Sequence, residues 1–354
     1  MYALHSLLGV VRPHRARQRG SSAGSGGRPV VSPAARSERD YSILLCGAMA
    51  WRCGVKRMIF EMETADPDDF MTLLWLADHP DVELLGVLVT PGSEDQCRLI
   101  RWGLDRCGRA EVPIGALHGP EWWATSEGKK ARVSGFHQAC YGPGILEHPA
   151  GEVAGGPALL AELLREPDAT VLVGAAPKNI GKAFKDVPGL RLARWVQQGG
   201  FAGDNLVAEP LEKFRGRLTC PSFNPGGAPR ETLALLASPQ IGERRFVSKN
   251  VCHGVVYTEA MREALSRRVS GRSPRSGLTR MIGALDRYLA DKGVGKAMHD
   301  LVAAACALDE RVCDFVEVEI YREKGEWGAR AMEGTNTRIS VGFHEERFLD
   351  VLAR

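Results

Sequence analysis

From residue 58 onward, short apolar runs alternate with longer stretches of helical spacing, and no other feature limits the fold of this chain as tightly. A run that is apolar throughout suits a strand buried on both faces, and the helical stretch that follows suits the crossover that parallel strands need. Met58-Ile59-Phe60 reads as a first strand and residues 68–78 as an amphipathic helix with Phe70, Leu73, Leu74 and Ala77 on one side. Val82–Val89 reads as a second strand ending at the turn Thr90-Pro91-Gly92-Ser93. A helix over 96–106, a short strand over 112–114, a helix over 158–164 and the apolar strand Thr170–Val173 continue the pattern. Residues 225–300 read as mostly helical, with helices near 231–237, 258–266 and 278–292 around a Ser/Arg/Gly-rich loop at 269–277. β character returns at 315–321 and 338–341, and a helix over Glu345–Leu352 closes the chain. The expected fold class is α/β: a single domain over residues 57–354 with a central, mostly parallel, Rossmann-like sheet flanked by helices. Sheets of this kind bind ligands at the carboxyl ends of their strands.

With 354 residues, 44% of them hydrophobic and 25% charged, the chain can bury a large core. No apolar run reaches the roughly 18 to 20 residues that span a bilayer, so neither a transmembrane helix nor a membrane partner is expected. Residues 1–57 carry ten Lys/Arg against Glu38 and Asp40, about +8, so the net +3 leaves the rest of the chain near −5. The basic excess therefore belongs to a low-complexity start, Gly20-Ser21-Ser22-Ala23-Gly24-Ser25-Gly26-Gly27 included, and does not mark a nucleic-acid surface. Residues 1–56 read as a disordered basic extension, either an organellar transit peptide or an upstream-extended start ahead of Met49 or Met58. Nine cysteines without CxxC spacing read as reduced thiols, which places the protein in the cytoplasm, or in an organelle if the extension is real.

Five acidic side chains, Glu61, Glu63, Asp66, Asp68 and Asp69, lie within nine residues directly after the first strand. Like charges packed this closely are held together either in bulk water or around a cation, and hard carboxylate oxygens favour Ca²⁺ or Mg²⁺ over zinc. An acidic helix start is the plainer alternative, with Asp66 and Asp68 complementing the helix dipole. His299-Asp300 opens a second apolar helical run, and Gly174-Ala175-Ala176-Pro177-Lys178-Asn179 is a loop after a buried strand. Each alone reads as capping or a turn. Trp122, Trp123, His137 and Tyr141 lie in loops where base stacking and ordinary packing are both open.

In this order and spacing the segments resemble the nucleoside hydrolase family, of the inosine-uridine preferring type, from about residue 58 to the end. That family's first strand ends in Asp-x-Asp-x-Gly-x-Asp-Asp. Glu61-Met62-Glu63 stands at the first Asp-x-Asp and Asp68-Asp69 at the closing pair. The resemblance implies Ca²⁺-dependent hydrolysis of the N-glycosidic bond of a small-molecule nucleoside, in a homo-oligomer, dimer or tetramer. By the same resemblance Asp68 is the base that activates water, while Glu63, Asp69, Asp300 and the carbonyl of Lys178 hold Ca²⁺, and His299 lies near the leaving base as an acid. Asn205, within Gly199-Gly200 to Asn205, and Phe223-Asn224 match sugar-binding stretches; Ser93 stands where an Asn binds ribose, and His137 lies in a loop similar to a substrate loop.

The departures concern the sugar more than the metal. Glu63 replaces an Asp and one extra residue precedes Asp68, so Glu63 or Asp66 is the first ligand; Ser222 stands where a Glu would be; residues 206–221 are inserted between Asn205 and Phe223. Two other readings follow from the residues: a riboside-binding relative without catalysis, and a Mg²⁺-dependent phosphohydrolase. The second lacks a Gly-rich phosphate loop ending in Lys-Ser/Thr.

Overall fold

The computed structural model describes residues 54–354 except for residues 131, 167, 272, 274 and 275. The basic extension read over 1–56 falls outside the described residues up to residue 53.

The thirteen strands of the described residues are β1 (Lys56–Met62), β2 (Val82–Val89), β3 (Ile114–Ala116), β4 (Val153–Gly155), β5 (Thr170–Val173), β6 (Leu192–Gln198), β7 (Thr219–Cys220), β8 (Ile241–Val247), β9 (Val256–Tyr257), β10 (Lys296–Ala297), β11 (Cys313–Glu323), β12 (Glu326–Ala331) and β13 (Thr337–Phe343). Eleven form one sheet in the order β4-β3-β2-β1-β5-β6-β8-β13-β11-β12-β7, and β9 pairs with β10 apart from it. From β4 to β13 every neighbour runs parallel; β11, β12 and β7 extend the sheet antiparallel. The α/β fold class is therefore as the sequence predicts.

Strand β1 shows why the apolar runs take this form. Met58, Phe60 and Met62 enter one core and Ile59 the other, all wholly buried, because successive side chains of a strand point to opposite faces. The same alternation puts Glu61 on the face of Ile59, under the helix Lys178–Asp186. The sheet runs outward in two directions from β1 and β5, which makes their carboxyl ends the switch point where α/β sheets take ligands.

Two helices are built into the larger core. Pro67–Asp78 starts with Asp66 as its N-cap and Pro67 in its first turn, a position that needs no N–H, and buries Phe70 through Ala77. His299–Leu308 buries Leu301 through Ala307 and packs against β5, β6 and β8. No helix among the described residues is long and apolar enough to cross a membrane.

The helices read near 231–237, 258–266 and 278–292 are present as Pro229–Ala237, Glu259–Arg268 and Gly277–Lys292, but the mostly helical reading of 225–300 missed β8, a central strand of the sheet, and β9 and β10. Its sequence, Ile241-Gly242-Glu243-Arg244-Arg245-Phe246-Val247, places two arginines where a buried strand should be apolar. The fold tolerates them through partners: Arg245 pairs with Glu243 and Glu310 at 2.6 Å, and Arg244 Nε donates to the Leu235 carbonyl at 3.1 Å. Strands β6 and β12, with Arg194 and Arg330 in them, were equally hidden. The segment 206–221 packs as a small satellite, Phe214 against Phe201 and Cys220.

Candidate active site

A cavity of about 540 Å³ opens at the carboxyl ends of β1, β5, β6 and β8. Its floor is acidic. Carboxylate oxygens of Asp68, Asp69 and Asp300, all buried, lie within 4.8 Å of one another, brought together by the first turns of the helices Pro67–Asp78 and His299–Leu308. Asp68 Oδ2 accepts from the Asp300 backbone N–H at 3.1 Å, and Asp69 Oδ1 accepts from the Glu63 N–H at 3.0 Å. Burial and the Asp300 charge push the Asp69 carboxyl well above its ordinary range; burial and Asp68 do the same to Asp300. Burial raises Asp68 to about 7 against the opposing pull of Lys296.

Lys296, at 5% side-chain exposure, places its ammonium 2.7 Å from Asp66 and 3.4 Å from Asp68. Burial alone would raise Asp66, but Lys296 outweighs it and holds that carboxyl below the usual range. One ammonium against three buried carboxylates and Asp66 leaves negative charge uncompensated. Asp300 Oδ1 has no hydrogen-bond partner although it is buried. A Cβ on Gly174 would come within 2.8 Å of Asp300 Oδ1 and 3.0 Å of Asp69 Oδ1, so the chain passes against the carboxylates where only glycine leaves room. Oxygen donors alone, net negative and partly unsatisfied, fit a hard divalent cation such as Ca²⁺.

The five acids of the first strand end thus divide. Glu61 does not reach the cavity: its carboxylate accepts from the N–H groups of Asn179 (2.7 Å) and Ile180 (3.2 Å), from Asn179 Nδ2 (3.0 Å) and from Thr90 Oγ1 (3.3 Å). Burial raises it to about 7. Asp66 caps its helix, as the plainer sequence reading has it. Glu63 lines the cavity, but its carboxylate turns back to the N–H groups of Ala65 and Asp66 and stands outside the group of three. Asp68 takes the third place in that group.

Of the other expected residues, Asn224, Phe223 and His299 line the cavity. Asn224 Nδ2 donates to the Gly174 carbonyl and to Gln198 Oε1, both at 2.7 Å, which ties the ends of β5 and β6 together. Phe223 is 82% exposed at the rim. His299 is pushed down to about 4 by burial and by Lys296, so the ring is a neutral imidazole at neutral pH. Lys178, Asn205, Ser93 and His137 lie elsewhere. Lys178 begins a helix whose N–H groups serve Glu61, and Gly174 is the residue of that loop that meets the carboxylates. Asn205 bonds to the Ala329 carbonyl on β12. Ser93 closes a capping box with Gln96, and its hydroxyl is spent on the Gln96 N–H. His137 is buried under the acidic loop, with Nε2 3.3 Å from the Thr64 carbonyl and its ring edge-on to Phe70. Trp123 and Tyr141 are packing residues as well, the first bonded to the Gly92 carbonyl and the second against Trp102.

Sequence reasoning missed Lys296, Lys249, His253, Gln198 and Tyr288, all of which lie at or beside the cavity. Lys249 and His253 follow β8; once that strand is hidden, its end cannot be placed at the site.

No protein-family model matches the chain. An uncharacterized protein of Aquifex aeolicus (strain VF5) is 23% identical over 304 residues, which cover 83% of this chain and 97% of the relative. Among solved structures, an inosine-guanosine nucleoside hydrolase superposes with a TM-score of 0.61 at 16% identity, over 84% of this chain and 97% of its own. A plant nucleoside hydrolase gives 0.59 at 16% identity over 84% and 97%. The inosine-uridine preferring nucleoside hydrolase of Bacillus anthracis gives 0.59 at 15% identity over 84% and 98%. The chain has the nucleoside hydrolase fold.

Proposed function

We propose that this chain hydrolyses the N-glycosidic bond of ribosides, with Ca²⁺ held by Asp69 and Asp300, and by Glu63 once its carboxylate leaves the N–H groups of Ala65 and Asp66. The observation that carries the reading is the convergence of Asp68, Asp69 and Asp300 at the switch point of a sheet with this fold. When bound, Ca²⁺ would offset the carboxylate charge and make a nearby water more acidic.

The chain's own groups do the rest. Breaking the C1′–N bond builds positive charge on the sugar and negative charge on the base. Asp68 accepts a proton from the attacking water, and the acidic floor faces the cation-like sugar. Asn224, fixed by Gly174 and Gln198, holds a sugar hydroxyl. Phe223 at the rim and Tyr288 in the wall supply aromatic surface for the base. His299 meets the departing base as a neutral imidazole, donating a hydrogen bond rather than carrying a standing positive charge.

A second reading, binding without hydrolysis, is favoured by one observation: Lys296 already places a buried cation 3.4 Å from Asp68. Release of reducing sugar from ribosides separates the two. Turnover that needs Ca²⁺ and Asp68 supports hydrolysis; saturable binding with no release supports the second reading.

A further inference from the structure

We infer that the cavity carries an anion subsite for a phosphate monoester, formed by Lys249 and Lys213, so that the riboside it takes is a nucleoside monophosphate. This rests on the glycosidase reading for the identity of the riboside, and not for the subsite itself.

The lining of the cavity is not acidic throughout: it includes Lys249 and His253, and Lys213 places its ammonium 3.0 Å from His253 Nδ1. Among the described residues neither lysine has a carboxylate within 4.0 Å; Lys249 is met by neutral partners only, the Pro221 carbonyl at 2.7 Å and Cys220 Sγ at 3.4 Å. Both ammonium groups stand over the same ring, Phe214, at 5.5 Å and 5.2 Å from its centroid. Two ammonium groups gathered on one ring without a carboxylate beside them repel each other, and an anionic ligand that reaches both from the cavity removes that cost. The local field shows on His253, which burial first, and then His299 and the three lysines 213, 249 and 296, push down to about 3.

The inserted segment contributes directly to this region. Lys213 and Phe214 both belong to residues 206–221, and the short turn Glu212–Phe214 is held to the site by the packing of Phe214 on Phe201 and His253. The same insertion that sets this chain apart therefore delivers one ammonium and the aromatic platform under both. Ser222, at the end of the insertion, brings no negative charge to this wall; its hydroxyl accepts from the Gly200 N–H at 2.9 Å. An uncharged nucleoside gains little from two ammonium groups. A phosphate monoester, with a charge near −2 at neutral pH, gains from both.

The step balances on such a substrate. The C1′–N bond breaks and a C1′–O bond forms to the oxygen of water; one water proton passes to Asp68; the base leaves with the electron pair of the broken bond and takes up a proton. The phosphate ester is untouched, so the products are a free base and a sugar phosphate.

Equilibrium titration of the full chain with Ca²⁺ tests this, with nucleoside 5′-monophosphates, their parent nucleosides and ribose 5-phosphate as probes, alongside Lys213→Gln and Lys249→Gln. Lys213 is exposed, so its variant leaves the fold intact even if Lys249→Gln does not. The monophosphate should bind roughly tenfold or more tighter than its nucleoside at low salt, as a close charge pair gives, and the ratio should shrink with added salt and fall in Lys213→Gln. A ratio near one, or one unmoved by Lys213→Gln, overturns the subsite. Equal affinity for ribose 5-phosphate, which lacks the base, overturns the nucleotide assignment. Base release from nucleosides with a ratio near one removes this inference and leaves the glycosidase reading; a lysine-dependent ratio without base release does the reverse.

Discussion

The backbone N–H of Asp300 donates to Oδ2 of Asp68 at 3.1 Å, across 232 residues of sequence. That bond fastens the first turn of one buried helix to the first turn of another and sets three carboxylates face to face. An Asn at position 68 can still accept it through its amide oxygen but cannot take a proton from water. Asp68→Asn should therefore lower kcat by roughly 100-fold or more, the usual cost of a lost general base, with the melting temperature held. Asp68→Ala should lower both.

Calcium should act on stability as well as on rate. Asp69 and Asp300 repel in the absence of a cation, and Asp300 Oδ1 is unsatisfied. Ca²⁺ should raise the melting temperature of the wild type, and a chelator should reverse the rise. In Asp300→Asn the metal-free protein should melt no lower than metal-free wild type, because a repelling buried charge is gone, while the Ca²⁺ increment largely disappears. Thermal melts of both proteins with and without chelator check this. An unchanged increment in Asp300→Asn would remove that residue from the metal site.

His137 gives a pH prediction independent of catalysis. Burial lowers its folded-state pKa to about 4 from 6.5, so between those values the unfolded chain binds a proton that the folded chain refuses. The contribution of this ring to stability should be flat above about pH 6.5 and be lost as pH drops toward 4, opposite in sign to the raised carboxyls of Glu61 and Asp68, whose contribution is lost as pH rises toward 7. His137→Gln should shift the slope of the urea midpoint over that window by the share of one proton toward lower stability gain with rising pH, whatever the balance of the other buried groups. An identical slope in the variant would contradict the burial of this ring.

Glu61 should behave as a structural residue. Removing its carboxylate in Glu61→Ala strands the N–H groups of Asn179 and Ile180 in the core, which should cost about 3 kcal/mol or more in denaturant unfolding. The Ca²⁺ affinity of the variant that does fold should match wild type. A selective loss of Ca²⁺ binding with little loss of stability would instead put Glu61 among the ligands.

What could be read from the sequence followed from how each residue meets its surroundings. Val82–Val89, Thr170–Val173 and Glu345–Leu352 coincide with observed elements because their apolar patterns are uninterrupted. Asp68, Asp69 and Asp300 were visible as acids at helix starts. Strand β8 was not visible, since Arg244 and Arg245 look solvated until Glu243, Glu310 and the Leu235 carbonyl are seen around them. With it went Lys249 and His253. Lys296 offers no pattern at all: its burial depends on Asp66 and Asp68, more than 200 positions away. Asn205 and Ser93 spend their hydrogen bonds outside the cavity, Asn205 on the Ala329 carbonyl 124 positions further on and Ser93 on the Gln96 N–H of its own helix, and neither partner could be read from the motif.

Chromatographic quantitation of free base and sugar from a panel of nucleosides and their 5′-monophosphates, run with Ca²⁺, with chelator and with Asp68→Asn, decides whether this chain cleaves N-glycosidic bonds. Equimolar base and sugar or sugar phosphate should appear from at least one member, lost on chelation and in the variant, with phosphate esters intact. Release of phosphate without base, or saturable binding of every member without any base release, would contradict it.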